Sequence, residues 1–126
     1  ISILPTGKGA YRGLLDQARQ ANPALKIVLC TPFAAPCGKI VEGALGEYYP
    51  LRQRILAQCC VIVERIAADY GATLVPFHRL IADLETRLPN GDATYWVWDG
   101  IHPTPAGQRL MADCWIGAAA RNGVME

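Results

Sequence analysis

Apolar positions along this chain alternate between helical spacing and short unbroken runs. Over residues 8–21, Tyr11, Leu14, Leu15, Ala18 and Ala21 recur at the helical period. Asn22-Pro23 ends that pattern, because a proline disfavours helical backbone at the residue before it. Leu25 to Thr31 is a short apolar run rich in strand formers, the pattern of a parallel strand covered on both faces. Residues 32–46 carry Pro32, Pro36, Gly38, Gly43 and Gly46 and read as a long irregular loop at the C-terminal end of that strand. The longest helical pattern runs over 47–70, with Leu51, Ile55, Ile62, Ile66 and Tyr70 as its expected buried stripe and Gly71 as its C-cap. Ala72 to Phe77 predicts a second strand, and residues 78–88 a helix with Leu80, Ile81, Leu84 and Leu88 on one side. Pro89-Asn90-Gly91-Asp92 predicts a turn, and residues 93–103 a loop. A last helix is expected from Thr104, a good N-cap, with Pro105 at its first position and Leu110, Met111, Cys114, Trp115 and Ala118 facing inward.

Helices alternating with apolar strands predict an α/β fold, a parallel sheet held by crossover connections and layered between helices. The length of 126 residues fits one domain, and a 52% apolar content can fill a core. Twelve Lys and Arg stand against eleven Asp and Glu, scattered rather than clustered. That balance gives no electrostatic case for nucleic acid or an anionic membrane as partner. No apolar run approaches a membrane span, and no signal-peptide pattern is visible. The five cysteines match no zinc spacing and read as reduced, buried thiols. Cys37, in the Pro/Gly-rich loop, is the one best placed to react.

Candidate chemistry concentrates at Asp99-Gly100-Ile101-His102-Pro103. A carboxylate three residues before an imidazole can meet it on a tight turn without any long-range arrangement. Such a pair makes a general base: the carboxylate fixes the tautomer and stabilises the imidazolium. Pro103 restricts His102 to extended backbone, and the helix starting at Thr104 anchors the turn. The same spacing also fits an Asp that merely caps a turn beside a surface His. The chain's single serine, Ser2, lies in Ile-Ser-Ile-Leu-Pro rather than on a Gly-rich turn.

The string Trp98-Asp99-Gly100-Ile101-His102-Pro103-Thr104-Pro105-Ala106-Gly107, followed by an apolar helix, resembles the last block of the SGNH (GDSL-type) hydrolases. The upstream order of helix, A-N-P-A-L-K-I-V-L-C-T-P-F, Pro-rich loop, long helix and Y-G-A-T-L-V-P-F is similar to the C-terminal portion of that family, so the resemblance covers nearly all of the chain. It implies a three-layer, flavodoxin-like fold of which residues 1–126 are the C-terminal part of one domain. It implies ester hydrolysis, on an acyl or acetyl ester, with Asp99 orienting His102 and no cofactor or metal. The family's G-D-S and G-x-N-D blocks, which carry the nucleophile and the oxyanion asparagine, have no counterpart here. The alternative is a silent, truncated shell that serves as a binding or assembly module. Strands without the family's N-terminal partners leave an open edge, so a second copy or a complementing N-terminal fragment is the expected partner.

Other side chains carry weaker expectations. His78 reads as a polar helix start, and Asp83 and Glu85 as solvated helix charges. Trp96 and Trp98 are placed equally well as a wall beside His102 or as core anchors. Phe33, Pro36 and Cys37 are candidate substrate-rim residues, with loop closure as the simpler role.

Overall fold

The computed structural model describes residues 4–88 and 92–125. Helix α1 spans Leu4–Ala21, strand β1 Val28–Cys30, a 3-10 turn Gly38–Val41, α2 Gly43–Glu47, α3 Tyr49–Tyr70, β2 Thr73–Val75, α4 Phe77–Arg87 and α5 Pro105–Arg121. Strands β1 and β2 pair in parallel, with Val28 opposite Thr73, Leu29 opposite Leu74 and Cys30 opposite Val75. Between them runs α3, the crossover that parallel pairing requires. The fold is thus mostly helical around a small parallel sheet, as a truncated α/β unit would be.

Side chains on paired strands alternate between faces. Leu29 is buried with Leu15 of α1 and Val63, Ile66 and Ala67 of α3, and Leu74 packs against the same cluster. Helix α5 packs on β2. Polar ties dock α1 on the end of α3: Arg12 pairs with Asp69 at 2.5 Å, and Arg19 donates to the Tyr70 carbonyl at 2.9 Å. A second cluster of Ala35, Cys37, Ile81, Ala93 and Val97 sits under the loop that follows β1.

Several expectations shift. The strands are shorter than their apolar runs, because pairing exists only where the two overlap. Helix α1 begins at Leu4 rather than residue 8, and the expected loop over 32–46 contains the 3-10 turn and α2. In α3 the buried residues are Cys60, Val63, Ile66 and Ala67, whereas Leu51 and Ile55 are about half exposed, at 47% and 48%. The expected stripe is therefore core only in its C-terminal half, where α3 lies over the sheet. Gly71 caps α3 with a left-handed φ of 58°. The turn expected at Pro89-Asn90-Gly91 and the serine at position 2 lie outside the described residues. The cysteines are all free, but only Cys37 and Cys60 are buried; Cys30 is exposed and Cys59 and Cys114 are intermediate.

In a parallel ladder, alternate residues of a strand bond to opposite sides. The Ile27 carbonyl and the Thr31 N–H bond to β2. The backbone groups of Val28 and Cys30 consequently point away from β2, along an edge that no strand covers among the described residues.

Candidate active site

Residues 97–103 form a narrow loop closed by an antiparallel bridge between Val97 and Pro103, with the Trp98 N–H donating to the His102 carbonyl at 3.2 Å. Within it, Asp99 uses both carboxylate oxygens. Oδ1 accepts from the backbone N–H of Ile101 at 2.9 Å and of His102 at 2.7 Å. Oδ2 lies 2.6 Å from His102 Nδ1. An ionised carboxylate only accepts, so Nδ1 carries a proton, and in the neutral imidazole Nε2 is the nitrogen with the lone pair. The Asp99 side chain is 13% exposed and that of His102 67%, so the acid is sheltered and the base faces outward. Desolvation pushes the Asp99 carboxyl up, but hydrogen bonds from the His102 N–H, the His102 ring and the Ile101 N–H outweigh it and hold the group at about 2.

The elements behind the loop explain why it holds this shape. Gly100 has φ 89°, a conformation that side chains rarely adopt, and a Cβ there would stand 2.1 Å from Ile40 Cγ2. The Gly100 carbonyl accepts from the Ala35 N–H at 2.9 Å, and the Cys37 thiol donates to the Val97 carbonyl at 3.0 Å. The loop after β1 is thereby fastened to the Asp99 turn. On the other side, Thr104 Oγ1 accepts from the Gly107 N–H at 3.1 Å as the N-cap of α5 and donates to the Tyr95 carbonyl at 2.6 Å. His102 is thus held between a capped helix and a wedged glycine turn.

The two tryptophans part company. The Trp98 ring stacks on His102, with centroids 6.0 Å apart and planes at 23°. Trp96 instead packs against the cluster around Ile81 and Val97. Cys37 is buried, and desolvation, together with the charges of Asp92 and Glu85, pushes its thiol up, which opposes the thiolate a reactive cysteine needs. Phe33 packs on the second cluster, while Pro36 is exposed.

A cavity of about 310 Å³ opens between the loop after β1, α3 and α4, lined in part by Phe33, His78 and Glu85. His78 is more than a polar helix start. Its Nδ1 lies 2.7 Å from Thr31 Oγ1, and its Nε2 lies 3.6 Å from Glu64 Oε1. Glu85 is not a solvated charge: it is half-buried in the cavity wall, and desolvation raises its carboxyl. Asp83, by contrast, is exposed and pairs with Arg87 at 2.8 Å. Sequence reading missed Thr31 and the structural part played by Gly100; the Asp-Gly pair was the signal available for the latter. Among the described residues no group of His, Cys, Asp and Glu is arranged to hold a metal ion, and no helix is long and apolar enough to cross a membrane.

The model of the GDSL-like Lipase/Acylhydrolase family matches residues 3–110. The crystal structure of a Parabacteroides merdae ATCC 43184 protein named as a GDSL-like lipase matches 90% of this chain, with a TM-score of 0.74 and 27% sequence identity. This chain spans 48% of that one, about half its length. No curated protein matches. With the family model covering most of its length and a solved fold of the same kind superposing on it, this chain belongs to the GDSL-like lipase/acylhydrolase family.

Proposed function

We propose that this chain supplies the acid–base half of an ester-hydrolase site, acting on a carboxylic ester such as an acyl or acetyl ester. The observation that carries the reading is the 2.6 Å contact between Asp99 Oδ2 and His102 Nδ1, with Nε2 left free and facing outward. In this reading Nε2 takes the proton of a serine hydroxyl as its oxygen attacks the ester carbonyl. Asp99 stabilises the imidazolium, which then protonates the departing alkoxide. Water repeats the sequence on the acyl-enzyme, and His102 again takes and returns the proton.

The serine and the oxyanion donors come from a segment outside residues 4–125 in this proposal. The uncovered edge of β1 is where that segment would dock, whether on a complementing N-terminal polypeptide or on a second copy. The chain mixed with a polypeptide bearing a G-D-S block should hydrolyse p-nitrophenyl acetate, and His102→Ala should lower turnover by about a thousandfold or more. Equal turnover with and without His102 would remove the proposal. The single serine in an unpromising context favours a second reading, a silent shell used for binding or assembly. A fluorophosphonate probe separates the two: labelling of the assembled complex supports the enzyme, and an unlabelled complex supports the silent shell.

A further inference from the structure

The cavity between the loop after β1, α3 and α4 has chemistry of its own, independent of Asp99 and His102. Most of its wall is apolar, with Phe33, Leu56 and Ala82 among the residues that form it. Its polar side chains are Gln53, His78, Glu85 and Cys60, whose thiol donates to the Pro32 carbonyl, and no Lys or Arg lines it.

The hydrogen bonds decide what those groups offer. The Gln53 amide nitrogen donates to the Ala34 carbonyl at 3.2 Å and to the Tyr49 hydroxyl. A carbonyl only accepts, so the amide orientation is fixed and Gln53 Oε1 is left as an acceptor. Thr31 Oγ1 accepts from the His78 N–H at 3.2 Å and lies 2.7 Å from His78 Nδ1. Burial lowers the His78 pKa and outweighs the opposite pull of Glu64, whose Oε1 lies 3.6 Å from Nε2, which favours the uncharged ring. Glu85 forms no ion pair among the described residues, although it is half-buried.

The cavity therefore presents acceptors and one uncompensated carboxyl over an apolar floor. A carboxylate or phosphate ligand would find no positive group there and would meet Glu85. We infer that this cavity is a binding site for a small organic cation, a primary ammonium carried on a short apolar body. The ammonium supplies donors to Glu85 and Gln53 Oε1, and the apolar body displaces water from Phe33, Leu56 and Ala82. A cation beside Glu85 would also offset the desolvation of its ionised form.

The test is an amide-resolved NMR titration of the full chain at neutral pH with n-hexylammonium, with n-hexanol as the uncharged comparison. Saturable shifts at Ala34, Ala57 and Ala82 are expected for the ammonium, with n-hexanol at least about tenfold weaker. Glu85→Gln should weaken ammonium binding by about tenfold or more and leave the rest of the spectrum in place. Shifts confined to residues 98–102, equal binding of n-hexanol, or unchanged affinity in Glu85→Gln would each overturn the assignment. No arm depends on ester turnover, so the site stands or falls apart from the proposed hydrolase chemistry.

Discussion

Asp99 accepts three hydrogen bonds from residues no more than three positions away, and this sets its ionisation. Its folded carboxyl sits at about 2, below the ordinary 3.8, so the folded state binds fewer protons than the unfolded chain between those values. The resulting stability is present above the ordinary pKa and is lost as pH falls toward the folded one. Asp99→Asn should lower stability at neutral pH and flatten the acid limb of a urea-unfolding series across that window. Gly100→Ala should cost about 2–4 kcal/mol in the same measurement, from the positive φ and the overlap with Ile40. The Asp99–His102 contact was legible in the sequence because it is local. The separate fates of Trp96 and Trp98 were not. Two residues apart, they would share a face in a strand, but a turn in which Trp96 and Val97 both donate to the Ala93 carbonyl sends one inward and one outward. Glu85 was misread by residue type: it lies four positions after buried Ile81, on the inner side of α4.

At the scale of elements, α5 is anchored by its N-cap residue. Thr104 both caps the helix and ties it to the Tyr95 carbonyl, so Thr104→Ala should cost about 1–2 kcal/mol and lower the urea midpoint. Helix α3 carries two different surfaces on one apolar stripe. Ile66, 1% exposed, lies in the cluster against the sheet, and Ile66→Ala should cost about 2–5 kcal/mol. Ile55→Ala should cost below about 1 kcal/mol, because Ile55 is 48% exposed. Equal costs at the two positions would contradict this division. Periodicity placed α3, α4 and α5 within a few residues. It could not show which part of a stripe meets the sheet, since that depends on where the short strands overlap. Helix α2 escaped it altogether: Gly43 and Gly46 lower helical propensity, and the element has only five residues.

For the whole molecule, the decisive feature is a parallel sheet of two strands among the described residues, with the Val28 and Cys30 backbone on its open side. The neighbouring crystal structure is about twice as long, and this chain spans 48% of it. An uncovered edge invites pairing. Sedimentation velocity should show concentration-dependent association, and Val28→Pro should reduce it by removing an edge donor and breaking the regular strand. A compact monomer at every concentration would count against edge pairing. The family was legible from one ten-residue string and the open edge from the missing strands, whereas how short the strand overlap is was not, because pairing depends on both strands together.

The bridge between Val97 and Pro103 encloses the whole Asp99–His102 pair within one short stretch of chain. The contact between the two side chains is therefore set inside one closed stretch of chain, and its geometry does not depend on how distant segments are joined.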